Sequence, residues 1–466
     1  MSYLQLFSIL GLGIVLNVAG AFAQERPPIL PMNLSYLRID FIQPAARPAG
    51  LGGAFLGAAQ DESAAPINPA GLTYLRGISV SINERRSRIS FKEHEGSPDN
   101  PDAMRKFHTN QFEQAMASVS LRYKKFTFAL FRQLLIDSRF DFETRQFLTR
   151  HTDPAPHFVL GGLGNFPGRR MTVDIELVHN GFSAAYEFSK RLSFGMSGKT
   201  SVLNFKYNEQ TFLDPGVAEG KHVGPNLPQN TYSITSLDEQ KSESRLKEPS
   251  LSFGLMAKLI GEKLFAGVVY NFNPTFTLKP RTFLPEYKLA NTTLAAVDTS
   301  SAMTFSVPDF YGFGLYYIAD EHASFTFDVI HIGYSKLLSR NSLNVAADDS
   351  LVGYQDPDGN PDLTLDDALE FHLGMELHYK IPRVLFIPSP GFITFRFGCY
   401  TKPGHRIHAT ANDENLERLY PEEKDQVHFT TGLGFTIGGS LKLDGSLDLS
   451  GDGFELIIST ILTAPY

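Results

Sequence analysis

The side chains able to act as bases, nucleophiles or metal ligands fall into a few groups. His372 and His378 lie six positions apart in a run where every second residue is apolar. A lipid hydrolase would need such a histidine held against a serine, because an unactivated hydroxyl is a poor nucleophile. Nothing in the pattern places a serine there, so both histidines are expected to line a polar interior. His151 with His157, and His405 with His408, fall in polar stretches without the Cys or carboxylate spacing of a closed metal site. Asp356 to Asp362, with Asp367, sets oxygens at alternate positions and a carboxylate at the twelfth, as a calcium loop does. Pro361, however, holds the sixth position, where the sharp turn needs glycine. The glycine-rich run from Gly50 to Gly57 has Phe55 where a dinucleotide loop has its third glycine. No catalytic residue, metal or cofactor is therefore expected.

The elements that would position these residues begin with an export signal. Leu4 to Ala23 is almost wholly apolar and ends in Ala21-Phe22-Ala23, a small-x-small cleavage pattern, so residues 1–23 read as a cleavable signal peptide. No later stretch is apolar for the roughly 20 residues a membrane helix needs. A membrane protein of this composition must then be a closed barrel, the other structure that satisfies its backbone in lipid. A net charge of −8 argues against nucleic-acid binding, which usually shows a basic domain. Cys399, the sole cysteine, cannot form an internal disulfide. Trp is absent, but 38 Phe and 18 Tyr suffice for aromatic girdles.

Period-two alternation identifies the strands. Phe371, Leu373, Met375, Leu377 and Tyr379 interleave with His372, Gly374, Glu376, His378 and Lys380, and residues 427–437 and 251–259 repeat the pattern. Fourteen strands are expected, near 76–90, 112–124, 125–148, 170–188, 191–212, 243–259 and 264–284. The rest lie near 302–318, 322–337, 367–381, 390–403, 425–437, 440–450 and 454–466. Short connections (Lys124-Lys125, Ser189-Lys190, 260–263, 319–321, 382–389, Gly438-Gly439) alternate with long polar ones (91–111, 149–169, 213–242, 285–301, 338–366, 404–424). Only Gly451-Asp452-Gly453 is short where a long loop is due. Such alternation belongs to outer-membrane barrels, whose periplasmic turns are short and external loops long. Both chain ends are then expected in the periplasm. Several strands exceed the 9–11 residues that cross a bilayer, so the wall should rise above it.

Residues 24–75 do not alternate. They are dense in Ala, Gly and Pro, as short helices packed against other backbone would require, and are expected to form a hatch inside the barrel of residues 76–466. Ala54-Phe55, Asp61, Ser63 and Asn68-Pro69-Ala70-Gly71-Leu72 resemble the N-terminal signature of the FadL/TodX family of outer-membrane transport proteins. Val307 to Leu315 with Asp328 and Tyr334-Ser335 is similar to a mid-barrel hairpin of that family. Phe395 to Gly398 with Thr430 to Phe435 is similar to its late strands. The resemblance implies a 14-stranded barrel plugged by a hatch, with Asn68, Pro69, Ala70 and Gly71 at the hatch-to-barrel junction. It also implies passive uptake of long-chain fatty acids or similar hydrophobic molecules, with outer-membrane lipids as surroundings. The PorV-type barrels of secretion systems share the N-terminal segment and dock protein partners, which is the alternative. Pro69 restricts both itself and Asn68, and Gly71 permits a bend, so the four residues are expected to act as a hinge.

Overall fold

The computed structural model describes residues 39–94, 104–144, 147–149, 164–166, 168–212, 236–284, 287–289, 292–294, 296–300, 302–337, 363–381, 391–410, 422–451 and 453–464. The signal peptide, the first part of the hatch, His151, His157, the acidic run 356–362, the turn 382–389, Asp452 and Tyr466 lie outside them. Fourteen strands form the wall: β1 (Ile78–His94), β2 (Met104–Tyr123), β3 (Phe126–Thr144), β4 (Gly168–Ser189), β5 (Leu192–Phe212), β6 (Ser236–Ile260) and β7 (Leu264–Phe272), then β8 (Phe310–Ile318), β9 (Ala323–Ile332), β10 (Ala368–Ile381), β11 (Gly391–Lys402), β12 (Gln426–Ile437), β13 (Leu441–Ser450) and β14 (Gly453–Ala464). Each pairs antiparallel with its sequence neighbour, and β14 returns to β1, Ile78 opposite Ala464. The closed barrel of fourteen strands expected from the alternation is the one observed.

Several strand limits differ from expectation: β2 starts at Met104 rather than 112 and β6 at Ser236 rather than 243, and three expected strands are cut short. The run 264–284 breaks after Phe272 and again after Leu278, because Pro274 and Pro280 bring no N–H to a ladder. Asn273 bonds instead to Asp309 and to the Pro308 carbonyl, both at 2.7 Å. The run 302–318 breaks at Val307-Pro308-Asp309 for the same cause. Beyond Ile332, Tyr334–Lys336 forms a 3-10 turn rather than strand.

One end of the barrel carries the tight turns. Lys124 (φ 59°), Gly261 (φ 52°) and Gly438 (φ 59°) occupy the left-handed region there, and β1 begins and β14 ends at this same end. Around the lower wall the outward face is apolar, with Val80, Leu121, Phe182, Leu255, Phe313 and Leu373 all exposed, as a lipid-facing band requires. Strands β2 to β6, at 20, 19, 22, 21 and 25 residues, continue past that band toward the long-loop end. Here the polarity inverts. On β4, Met171, Val173, Ile175 and Leu177 are buried inward while Thr172, Asp174 and Glu176 face out. On β5, Leu203, Phe205 and Tyr207 face in while Asn204, Lys206 and Asn208 face out. The lower lumen of the same strands is lined by His179, Ser183, Ser197, Lys199 and Ser201.

Candidate functional site: a lumen, its hatch and a wall seam

Residues 39–75 lie inside the cylinder. Ile39 accepts a hydrogen bond from the Tyr334 hydroxyl at 3.0 Å, and the Asp40 carboxylate meets Lys402 and, at 3.0 Å, His405. All three partners are at the long-loop end. The chain then passes through helix α1 (Ala46–Gly50), helix α2 (Ala64–Ile67) and a 3-10 helix (Pro69–Tyr74) before joining β1 at Gly77. The described segment, the part of the expected hatch that the structure covers, thus runs from the long-loop end to the tight-turn end. Ile39 and Ala464 lie at opposite ends.

The hatch is held in two ways. The first is a buried charge hub. Glu376 on β10, 1% exposed, accepts from Arg47 (Nε, 2.9 Å; Nη2, 2.8 Å) and from Arg396 Nε at 2.9 Å. Arg47 also reaches Asp61 at 3.2 Å, and Arg396 reaches Asp444 at 2.6 Å. Every charge in the hub has a partner, as buried charges must. Asp328 on β9 accepts two more bonds, at 2.6 Å each, from the backbone N–H groups of Phe55 and Leu56. The second is direct backbone contact. Inward glycines on six strands (Gly195, Gly254, Gly267, Gly314, Gly374 and Gly398) leave room for the hatch main chain. A Cβ on Gly195 would lie 2.3 Å from the Ala70 nitrogen, and one on Gly398 would lie 2.2 Å from the Gly52 nitrogen. Glycine inside a strand often marks such an approach.

Asn68-Pro69-Ala70-Gly71 sits where β5, β6 and β7 meet the hatch. Asn68, fully buried, caps the 3-10 helix by accepting from the Ala70 N–H at 3.3 Å and donates to the Leu56 carbonyl at 2.9 Å. Pro69 is the first helical residue, where its missing N–H costs nothing. Gly71 serves closeness rather than a bend: a Cβ there would lie 1.8 Å from the Ala59 oxygen, and its φ is outside the left-handed region. The backbone turn into the wall is made instead by Gly77, at φ 69°.

Both histidines of β10 face inward. His372 bonds the Gly52 carbonyl at 2.6 Å and Glu370 at 3.1 Å, and His378 bonds Thr394 at 3.1 Å. Neither bonds a serine. Among the described residues no three His, Cys, Asp or Glu side chains gather as a metal site. His405 is buried between Tyr334 and Asp40, and His408 stands 3.6 Å from Asp366.

Above the hatch, a cavity of about 210 Å³ is bounded by Phe41 and Ile42 below and by Leu135, Phe310 and Tyr334 around it. Leu135, Phe140, Ile332 and Tyr334 of its lining belong to an apolar cluster that also includes Phe205, Phe276, Phe305 and Leu177. On its polar side Lys199 donates to Ser252 at 2.6 Å and Asn271 at 3.2 Å.

The cavity also touches a seam in the wall. β2 and β3 pair from Tyr123–Phe126 only as far as Met116–Gln133. Beyond that, β2 pairs solely with β1, up to Met104, and β3 solely with β4, up to Thr144. Bulges start the divergence, at Ala115 on β2 (Asn83 faces Met116, Glu84 faces Gln114) and at Leu135 on β3 (Leu134 faces Val178, Ile136 faces Leu177). The Leu135 carbonyl is turned to the hatch, where it accepts from the Ile42 N–H at 2.9 Å. Bulges of this kind bend a strand and end its pairing. Sequence reading missed the seam and the hub alike. The seam strands break alternation at Leu134-Leu135-Ile136, a signal that was not used, and the hub joins residues 329 positions apart.

A scan against protein-family models finds no match, and a comparison with curated protein sequences finds none. Solved structures do match. A Pseudomonas aeruginosa FadL homologue aligns at 14% identity over 91% of this chain and 99% of its own, with a TM-score of 0.56. The Pseudomonas putida toluene transporter TodX aligns at 11% identity over 92% of this chain and 100% of its own, TM-score 0.52. The CymD monoaromatic hydrocarbon channel aligns at 13% identity over 92% and 100%, TM-score 0.53. This chain therefore has the fold of those channels.

Proposed function

We propose that the chain is an outer-membrane channel for passive uptake of hydrophobic small molecules, related to the FadL/TodX proteins. The observation that carries this is the polarity inversion: above the lipid band the barrel presents Leu177, Phe205 and Phe140 to its interior and charge to water. A water-filled pore has no use for such a lining. An apolar solute gains roughly 25 cal/mol for each Å² removed from water there. It would then pass to the cavity over the hatch and leave sideways through the β2–β3 seam, at the upper edge of the lipid band. Residues 39–75 would act as the plug that prevents straight passage, and the tight-turn end would face the periplasm. Binding and partition free energies suffice, with no cofactor. The names of the structural neighbours, hydrocarbon and FadL-type channels, agree with this reading.

Pyrene titrated into the purified, detergent-exchanged barrel tests it by fluorescence. Saturable binding is expected, and Phe205→Asp should weaken it about tenfold or more, since a buried phenyl contributes at least 1.4 kcal/mol. Absence of saturable binding, with a stoichiometric protein co-purifying instead, would favour the adaptor barrel.

A further inference from the structure

The seam lacks backbone bonds, yet it is not empty. Arg139 on β3 crosses it to Glu113 on β2 at 2.8 Å. Arg139 also contacts Asp137 at 3.0 Å, Asp174 at 3.3 Å and Glu176 at 3.7 Å. One layer inward, Arg85 on β1 reaches across to Asp137 at 3.7 Å and also pairs with Glu455 on β14, at 2.5 Å. Higher up, Phe107 of β2 lies against Phe142 of β3, ring centroids 5.5 Å apart. Between bulge and rings, the polar bars Arg139–Glu113 and Arg85–Asp137 span the two strand edges.

We propose that Arg139 and Glu113, backed by Arg85 and Asp137, form a side-chain gate across the β2–β3 seam that sets which molecules leave by it. The proposal rests on the transport reading and adds its selectivity. Strands held by a backbone ladder part only by breaking many bonds. A half-exposed pair such as Arg139–Glu113 yields far more easily, since such a pair is worth about 1 kcal/mol or less, while the Arg85–Asp137 contact behind it is buried and long, at 3.7 Å. The gate also carries a sign. Two guanidinium groups face five carboxylates in this network (Glu113, Asp137, Asp174, Glu176 and Glu455). An uncharged apolar molecule meets only the work of swinging Arg139 aside. An anionic amphiphile meets net negative charge at close range, which repels it. The exit therefore favours neutral ligands.

Two readouts test the gate on the full-length barrel in lipid vesicles, with Cys399→Ser to leave no other thiol. The first is the distance distribution between spin labels at positions 110 and 141, on either side of the seam. The second is the rate at which bound pyrene, or pyrenebutanoate as its anionic counterpart, reaches the vesicle bilayer. Arg139→Met and Glu113→Gln should each broaden the distances outward and speed pyrene release about two- to fivefold, the factor one such ion pair represents. For pyrenebutanoate, Glu113→Gln should accelerate release more than Arg139→Met, because only the former lowers the negative charge. Unchanged distances in both variants overturn the gate. So does broadening without faster pyrene release, and equal effects on the two probes overturn its charge selectivity. A barrel that transfers no pyrene in any form sinks the transport reading itself, while the distances still report whether the ion pairs hold the seam.

Discussion

Glu376→Gln is the substitution to which the hatch should be most sensitive. The parent carboxylate takes three hydrogen bonds of 2.8–2.9 Å from Arg47 and Arg396, and Tyr316 lies 3.5 Å from its Oε2. Glutamine keeps one acceptor and turns an NH₂ toward a guanidinium, leaving two buried cations with one carboxylate fewer between them. Removing one partner of a buried pair costs about 3–5 kcal/mol. Arg47 retains Asp61 and Arg396 retains Asp444, so the low end of that range, about 3 kcal/mol, is expected. Adding Arg47→Met should recover part of the loss, because the cation that lost its partner is gone; a coupling of about 1–3 kcal/mol is expected for residues in one network. Urea unfolding in lipid vesicles, followed by heat-modifiable electrophoretic mobility, measures both variants. A loss under about 0.5 kcal/mol for Glu376→Gln, or strict additivity with Arg47→Met, would refute the hub as what holds α1 in place.

Other outcomes follow from the same geometry. Gly398→Ala should cost about 1–3 kcal/mol by overpacking against Gly52, whereas Gly445→Ala, with nothing within 4 Å of the added carbon, should leave the unfolding midpoint unmoved. Leu373→Arg, outward on β10 and 52% exposed, should destabilise the barrel in vesicles by about 2–4 kcal/mol if it lies at the bilayer midplane, and Leu373→Met should not. Protease added to intact cells should cut within 213–235 and spare Gly261-Glu262; cleavage at that turn with the outer membrane sealed would reverse the orientation.

The wall was legible in the sequence because its signal is local. Phe371 to Tyr379 must alternate to separate lipid from lumen, and fourteen such runs were found where fourteen strands close. The strand breaks at Pro274, Pro280 and Pro308 were legible too, but alternation alone ran through them. The glycine contacts had a signal that went unused: Gly195, Gly254, Gly374 and Gly398 fall on inward positions between outward apolar residues, where a polar lumen has no need of glycine. Arg47 with Glu376 left no local trace, and the seam left only the break in alternation at Leu134-Leu135-Ile136. A salt bridge between distant segments, or the absence of pairing between two well-formed strands, is a property of the closed ring rather than of any stretch within it.

The glycine contacts also bear on how the molecule is put together. Hatch backbone is the nearest neighbour of the wall glycines on four strands, at Gly195, Gly267, Gly374 and Gly398, which leaves little there to compress or swing aside. A segment so fitted cannot be threaded into a finished cylinder. It must be seated while the sheet is still an open, curling ribbon, with the wall wrapped around it. The ladder joining the ribbon's two edges, Ile78–Ile89 against Gly453–Ala464, then closes the wall around its contents.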